Sequence, residues 1–229
     1  MITYIINLKQ RVDRFQKCLQ NLKEIKHTNN VKKFDAIDTF FDDELTQIEC
    51  NRVNCALSHF SVLFDAYEKR YESVCILEDD FQPLRYELPF SRHISDVCRD
   101  LPHDWDVVFL GGNLYYNGTK PPVSPFSDKL NKLNYCVGMH SVLYSQDGIK
   151  KILDQIYEID DLKFWIRKYT AVDVWYSEVI IPNVNSFIMK QHLFSQFASE
   201  SDIEGVFVDY RKQLKNKELF WDQVLTATK

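Results

Sequence analysis

Short apolar runs alternate with segments of helical periodicity along most of the chain. Runs rich in β-branched and aromatic residues and bounded by polar residues are typical of strands, whereas apolar residues at intervals of three or four indicate helices. This alternation predicts an α/β fold with a mostly parallel, twisted central sheet flanked by helices. The predicted strands are 2–8, 31–37, 74–77, 104–110, 135–144 and 186–190, and the predicted helices are 9–26, 53–67, 91–99 and 146–157.

The central feature of the pattern is residues 73–81, SVCILEDDF. The apolar run 74–77 has the length and the β-branching of a strand buried on both faces. Glu78, Asp79 and Asp80 follow it without a break, and three adjacent carboxylates at the end of a buried strand repel one another unless a cation lies among them. Carboxylate oxygens suit Mn²⁺ or Mg²⁺. An acidic turn after a core strand is the alternative interpretation of the same three residues.

Two arginines, Arg11 and Arg14, lie in the first turns of the first predicted helix, which Asn7 is placed to cap. Cations near a helix N-terminus oppose the helix dipole. They are favourable if an anion such as a phosphate binds there. Two solvated arginines are the alternative.

Two further segments follow predicted strands, where ligands bind in open α/β sheets. The second strand ends in FDAID, whose Asp35 is placed either to hydrogen-bond a ribose or to cap a turn. Gly111 and Gly112 follow the strand 104–110 and permit either close approach of a ligand or a simple turn. In the helix 53–67, His59 borders the apolar stripe, where a lone histidine is more often structural.

The segments outside this pattern are predicted to be loops and a tail. Residues 40–51 are acidic and irregular, which favours a surface loop with a short helix. Residues 115–130 contain one glycine and three prolines, which favours a long loop that closes over a site. The last stretch, 204–229, is charged and helical in pattern. We therefore expect a main domain over 1–203 and a C-terminal helical tail over 204–229.

The chain has 229 residues, of which 45% are hydrophobic and 27% charged, as in ordinary globular proteins. Its net charge of −5 argues against broad nucleic-acid binding. Six scattered cysteines without a CxxC motif indicate a reducing compartment. The N-terminus does not resemble a signal peptide and no apolar run reaches the length of a membrane span, so we expect a cytoplasmic protein for which peripheral membrane contact stays open.

Seven short segments along the chain carry a further signal. They are INLKQRVDRF (6–15), FDAID (34–38), NCALSHF (54–60), ILEDDF (76–81), WDVVFLGG (105–112), VGMHSVLYSQDG (137–148) and SDI (201–203). Each segment is weak alone, but together they extend over most of the chain, and in this order they resemble glycosyltransferase family 25, the lipooligosaccharide and procollagen galactosyltransferases.

The resemblance implies a GT-A fold and transfer of a hexose, galactose or glucose, from a UDP-sugar to a hydroxyl. The implied cofactor is Mn²⁺ or Mg²⁺, and the implied acceptor is a glycan, a lipooligosaccharide or a protein, with lipopolysaccharide biosynthesis as one setting. Asp80 is the implied metal ligand, with His192 as a further candidate. An inverting transfer requires a base, for which Asp173 ranks ahead of Glu178, although Asp173 is equally suited to cap a helix.

The resemblance also implies a set of donor-binding residues, which lie mainly after predicted strands and at the start of the first helix. They are Asn7, Leu8, Arg11, Arg14, Asp35, Ala36, Asp38, Ser58, His59, Glu78, Asp79, Gly111, Gly112 and Gln191.

The chain departs from the family pattern at Asn54, which stands where the family has a glycine. Because asparagine tolerates positive φ, we expect a turn there to be kept. Two other hypotheses stay open: a noncatalytic module that binds a nucleotide sugar or carbohydrate, and a nucleotidyltransferase. The latter typically needs a glycine-rich loop after its first strand, and residues 6–11, INLKQR, contain no glycine.

Overall fold

The structure is a computed structural model that describes residues 1–114 and 121–209. The strands within these ranges are β1 (Ile2–Asn7), β2 (Val31–Asp35), β3 (Ser73–Glu78), β4 (Phe81–Pro83), β5 (Val107–Phe109), β6 (Val123–Pro125), β7 (Leu130–Leu133), β8 (Ser141–Ser145), β9 (Ser186–Met189), β10 (Phe194–Gln196), β11 (Ser199–Glu200) and β12 (Phe207–Val208). The α-helices are α1 (Val12–Glu24), α2 (Gln47–Glu68), α3 (Phe90–Asp100), α4 (Gln146–Ile156), α5 (Leu162–Tyr169) and α6 (Val172–Trp175).

Eight strands form one mixed sheet in the order β2-β1-β3-β8-β5-β9-β7-β6. The pairs β1/β2, β1/β3 and β5/β9 are parallel, and the other four pairs are antiparallel. These pairings reverse β7 and β8 relative to the rest of the sheet. The other strands share one direction, so the predicted mostly parallel sheet with flanking helices is confirmed.

Helices cover both faces of the sheet, and successive residues of its strands point to opposite faces. In β3, Cys75 and Leu77 pack in one apolar cluster with residues of α1 and α3. Val74 and Ile76 pack in the other cluster, with residues of α2, α4 and α5. The central strand is therefore buried on both faces, as its continuous apolar run predicts.

Residues 40–51 contain the expected helical stretch, but it is the first part of α2, which begins at Gln47, and not a separate short helix. Thr46 and Glu49 form a capping box, in which each side chain accepts a hydrogen bond from the other residue's backbone N–H. The expected turn at Asn54 is also wrong. Asn54 lies inside α2, and its side-chain amide bonds both the N–H and the carbonyl of Phe40.

The loop predicted over 115–130 falls partly outside the described residues, since 115–120 are not described. In the described part the prediction is wrong. Residues 123–125 form strand β6, which pairs with β7 at the end of the sheet. Pro125 is compatible with this position because an edge strand leaves one row of backbone groups unpaired.

At the start of α1, Arg11 is the N-cap residue and makes no side-chain capping bond, so the expected capping by Asn7 is wrong. At the other end of the chain, residues 204–209 include strand β12, and residues 210–229 of the predicted tail lie outside the described part. Within residues 1–114 and 121–209, no helix combines the length and apolarity needed to cross a membrane.

Candidate functional site

The candidate site lies at the carboxyl ends of the parallel strands β1, β2 and β3. Asn7 is in register with Asp35 on one side, and Ile6 with Glu78 on the other. The acid triplet therefore leaves the sheet beside the end of β1, where the chain turns into α1. We call Glu78, Asp79 and Asp80 at this position the acidic site.

Asp79 is the acid that the protein itself neutralises. Its Oδ2 accepts a hydrogen bond of 2.7 Å from Asn7 Nδ2, and its Oδ1 forms a 2.8 Å ion pair with Arg14. Burial raises the pKa of Asp79, although Arg14 and Asn7 oppose this shift. Asn7 therefore contributes to the acidic site by orienting Asp79.

Asp80 is less completely bonded than Asp79. Its Oδ2 accepts a 3.1 Å hydrogen bond from Gln196 Nε2, and its Oδ1 is buried without a hydrogen-bond partner among the described residues. Burial, followed by the charges of Glu78 and Asp79, raises the pKa of Asp80 to about 8. Its backbone carbonyl accepts from the N–H of Phe197, which holds the segment after β10 against this acid.

Glu78 contacts a histidine from α2: Glu78 Oε1 lies 2.9 Å from His59 Nε2. Burial opposes ionisation of Glu78, but the hydrogen bond and charge of His59 outweigh it and lower the pKa of Glu78. Without a cation, ionisation of Glu78 is therefore favoured over ionisation of Asp80.

Arg11 and Arg14 both bind a segment near the end of the described chain. Arg11 forms a 2.5 Å ion pair with Asp202, and Arg14 lies 3.5 Å from the same carboxylate. Arg14 also donates a 2.9 Å hydrogen bond to Ser199 Oγ. These arginines thus form an anion-binding position beside the acidic site, which in this structure holds an acid of the chain itself.

The same segment, residues 199–204, also binds the start of α2, and we call it the C-terminal strap. Asn51 donates to the carbonyls of Asp202 and Ile203, and Arg52 pairs with Glu204 at 2.7 Å. The strap therefore connects the N-terminal turns of α1 and α2.

Asp173 lies in the first turn of α6, whose N-cap residue is Ala171, so the helix-capping alternative for Asp173 is wrong. Its Oδ2 accepts a 2.8 Å hydrogen bond from the N–H of Gly138, which has a φ of 89°, and its Oδ1 accepts from its neighbour Val174. Burial raises the pKa of Asp173, and the charge of Glu78 adds to the shift. Asp173 and the acidic site therefore share one electrostatic environment.

Glu178 lies in the π-helical turn Tyr176–Ile180 that continues α6, and its side chain is exposed. Within the same turn, Ser177 bonds the backbone of Cys136 in both directions, since its Oγ accepts from the N–H and donates to the carbonyl. This turn therefore anchors the segment that leads to Gly138 and thereby positions the partner of Asp173.

Gly111 and Gly112 are buried and lie against the protein itself. A Cβ on Gly111 would stand 2.1 Å from the carbonyl oxygen of Phe194, and one on Gly112 would stand 2.4 Å from Cys136 Sγ. Both glycines thus permit close packing of the segments that frame the site. Their assignment to donor binding stays a prediction.

The remaining predicted residues are spread around the ends of the strands. Ser58 is buried and accepts a 2.8 Å hydrogen bond from the N–H of Ile37, which attaches the FDAID segment to α2. His192 is buried just before β10, outside the groups that contact Asp80 in the bonds described above. Leu8 and Ala36 are half-buried, whereas Asp35, Asp38 and Gln191 are exposed. The roles assigned to these residues stay predictions.

Sequence reasoning missed Gln196, His140 and Cys55. Gln196 contacts Asp80 across 116 residues of chain, and no local pattern marks such a pair. His140 is fully buried between Gly138 and strand β8, and burial lowers its pKa to about 4, so it is neutral. Of the three, only Cys55 could have been found from the sequence. It lies one turn before His59, and a cysteine and a histidine four residues apart share a helix face.

At the opposite end of the sheet lies a cavity of ≈ 460 Å³. Its lining includes Asp106, directly before β5, which is 1% exposed. Both carboxylate oxygens of Asp106 accept from Lys151 Nζ, at 2.7 and 2.8 Å, and Oδ2 also accepts from the N–H of Asn185. This buried acid is fully bonded within the protein.

No family model matches the chain. The chain is 27% identical over 177 residues to procollagen galactosyltransferase 1-B of Xenopus laevis, with 66% of this chain and 28% of the relative covered. It is 27% identical over 131 residues to procollagen galactosyltransferase 2 of Mus musculus, with 47% and 20% covered. The chain therefore spans less than a third of the length of these curated relatives.

Among solved structures, the chain resembles a glycosyltransferase involved in the glycosylation of the major capsid of PBCV-1. The TM-score is 0.55 with 10% sequence identity, and the match covers 96% of this chain and 100% of that one. At this identity the likeness concerns the fold alone. It confirms the predicted GT-A-like architecture of a mixed sheet flanked by helices.

Proposed function

We propose that this chain is a metal-dependent glycosyltransferase of the family 25 type that transfers a hexose from a UDP-sugar to a hydroxyl. The observation that carries the proposal is Asp80, whose buried Oδ1 has no hydrogen-bond partner among the described residues at the carboxyl end of a central strand. The weak likeness to procollagen galactosyltransferases supports the same chemistry and favours galactose as the sugar.

The residues of the acidic site fit Mn²⁺ or Mg²⁺. Asp80 offers an unpartnered carboxylate oxygen, which is the kind of ligand that these cations prefer. Asp80 would hold the cation, with His192 as a further candidate ligand. When bound, the cation supplies positive charge that stabilises the leaving nucleoside diphosphate.

Arg11 and Arg14 are proposed to bind the donor diphosphate near the N-terminus of α1. Both arginines hold Asp202 in this structure, so a phosphate competes with that carboxylate for them. Asp79 is already occupied by Asn7 and Arg14, and its proposed role is to orient Arg14 toward the nucleotide.

Asp173 is proposed as the base that accepts the proton of the acceptor hydroxyl, giving an inverting transfer. The N–H groups of Gly138 and Val174 fix its carboxylate, and burial raises its pKa toward the range in which a carboxylate is a more effective base. Glu178 is the second candidate, but its side chain is exposed, so it lacks the burial that raises the pKa of Asp173. The proposed acceptor is a hydroxyl of a glycan, a lipooligosaccharide or a protein.

The proposal is tested by thermal stability in the presence of UDP-galactose or UDP-glucose, each with and without Mn²⁺. A ligand at about 100 times its Kd stabilises the folded state by about 2.7 kcal/mol, which raises Tm by several degrees. We expect a shift that requires both the nucleotide sugar and Mn²⁺, followed by release of UDP when an acceptor is added.

Two outcomes contradict this proposal in different ways. A shift without turnover on any hydroxyl acceptor favours the noncatalytic sugar-nucleotide module. If no UDP-sugar raises the Tm of the folded protein, with or without Mn²⁺, the proposed donor site is contradicted.

A further inference from the structure

The face of α2 that approaches β3 carries a second group of metal-binding side chains. Cys55 and His59 are four residues apart and therefore lie on the same helix face. Together with Glu78 they offer one ligand atom each, all within 4.8 Å of one another. Within residues 1–114 and 121–209, no other set of three His, Cys, Asp or Glu side chains meets this condition.

The burial of His59 makes this group unusual. The side chain of His59 is 1% exposed, and its Nδ1 is buried with no partner among the described residues. A buried polar atom without a partner is costly unless a ligand or an ordered water binds it. His59 therefore has one nitrogen beside Glu78 and another that the described part of the protein leaves unused.

Acids cluster around this group. Glu78 is itself one of the three ligands, and Asp79 and Asp80 follow it directly in the chain. In the described ion pairs, Arg14 pairs with Asp79 and no arginine or lysine pairs with Glu78. Burial, followed by the charge of Glu78, raises the pKa of the Cys55 thiol, so an ion that binds here displaces the thiol proton.

We propose that Cys55, His59 and Glu78 bind a divalent cation of the zinc class, at a site distinct from the one assigned to Mn²⁺ at Asp80. A thiolate, an imidazole and a carboxylate are together typical ligands of Zn²⁺ and Co²⁺, whereas Mn²⁺ and Mg²⁺ prefer oxygen ligands. Three protein ligands leave a fourth position of a tetrahedral ion open to water. With bonds of about 2.0–2.3 Å, the ligand atoms of a tetrahedral ion lie roughly 3.5 Å apart. The wider separations in this group, which reach at most 4.8 Å, must therefore shorten as the ion binds, and the 2.9 Å contact between His59 Nε2 and Glu78 Oε1 must lengthen.

The proposal goes beyond the transferase function and does not depend on it, because it concerns only ion binding by these three side chains. The competing interpretation is a simple hydrogen bond between His59 and Glu78 with Cys55 as an uninvolved neighbour. A probe that reports on the cysteine sulfur separates the two interpretations, because a thiolate ligand gives Co²⁺ a near-ultraviolet charge-transfer band.

The experiment titrates the metal-free full chain with Co²⁺ and records the near-ultraviolet and visible spectra. We expect one Co²⁺ per chain with a thiolate charge-transfer band, and we expect Zn²⁺ to displace it. Cys55→Ser should abolish the band, and His59→Asn should weaken Co²⁺ binding at least about tenfold. Cys98→Ser removes an exposed cysteine on α3 and is the matched control that should keep the wild-type spectrum.

The proposal is overturned if wild-type protein that is folded by circular dichroism shows no band, or if the band survives in Cys55→Ser and in Cys55→Ala. The result is independent of the proposed transferase. If the Co²⁺ band appears but no UDP-sugar binds, the zinc-class site is supported and the proposed transferase function is contradicted. If Mn²⁺-dependent transfer occurs but no Co²⁺ band appears, the transferase function is supported and the zinc-class site is contradicted.

Discussion

Asp80 and Asp106 are acids with buried carboxylate oxygens at opposite ends of one sheet, and the protein surrounds them differently. Asp106 receives hydrogen bonds from Lys151 and from the N–H of Asn185, and both of its oxygens are bonded. Among the described residues, Asp80 receives one side-chain hydrogen bond, from Gln196, and retains an unbonded oxygen, and it directly follows two other acids in the sequence. Asp106 is thus neutralised by groups of the protein itself, whereas Asp80 keeps an oxygen that could still bind a ligand.

The largest expected effect is a loss of transfer on substitution of Asp80, the acid with an unbonded oxygen among the described residues. Asp80→Asn should lower metal-dependent transfer by about 10³-fold, since it removes the charge that holds the cation. The metal-free variant should fold about as well as wild type, because a neutral amide replaces a carboxyl group whose pKa burial and the charges of Glu78 and Asp79 raise to about 8. Transfer rates and Tm, measured on the same preparations, check both statements. Wild-type turnover in Asp80→Asn would refute the assignment of the metal to this residue.

A smaller loss of transfer is expected on substitution of Asp173, whose pKa burial and the charge of Glu78 raise. Asp173→Asn should lower turnover by about 10²-fold with unchanged UDP binding, as loss of a general base does. Glu178→Gln, measured in parallel, ranks the two candidates, and the larger loss identifies the base. If UDP binding collapses in Asp173→Asn, the residue belongs to the donor site or to the structure of the protein instead.

Substitution of Asp106, whose carboxylate oxygens are both hydrogen-bonded, should lower the stability of the protein. Asp106→Ala removes the acceptor for the N–H of Asn185 and for Lys151, so the free energy of unfolding should fall by about 2 kcal/mol. Lys151→Ala should cost less than about 1 kcal/mol, because its side chain is 48% exposed. Urea unfolding gives both values. A variant of Asp106 that keeps its stability but loses transfer would show that Asp106, and not only Asp80, serves the reaction.

The smallest expected effect is a pH dependence of the metal-free protein. With a folded pKa of about 8, Asp80 binds a proton in the folded state that it has lost in the unfolded state above about pH 4. The free energy of unfolding should therefore decrease between pH 6 and pH 7, by at most about 1.4 kcal/mol, and Asp80→Asn should flatten this slope. Urea midpoints at the two pH values measure it. An equal slope in both proteins would assign the titration to another group.

The order of strands and helices was predictable because each element carries its own apolar period. The run 74–77 is buried on both faces as its composition predicts, and α1 and α4 lie within their predicted ranges. Strand direction has no such signal, so the reversal of β8 between β3 and β5 could not be deduced. The early start of α2 did have a signal, since Thr46 and Glu49 have the spacing of a capping box.

The candidate site was predictable only where its residues are close in sequence. Glu78, Asp79 and Asp80 form one visible cluster, and Arg14 lies at the turn that faces them. The partner of Asp80 was not predictable, because Gln196 is an ordinary polar residue until the fold brings β10 beside β4. The C-terminal strap contains the SDI segment of the family resemblance, but its contacts with Arg11, Arg14 and α2 were not predictable, because they join residues that only the fold brings together.

The C-terminal strap has a consequence for how the chain folds. Its bonds to α1 join residues 185 to 191 positions apart, and the eight-stranded sheet is complete in sequence at Met189, before the strap begins. Contacts of such separation form late, because closing a long loop costs entropy before the contact stabilises it. During synthesis, the first 189 residues can assemble the sheet while Arg11 and Arg14 still lack their partners on the strap. Arg14 can already pair with Asp79 at that stage, so what forms late is the contact of both arginines with Asp202 on the strap.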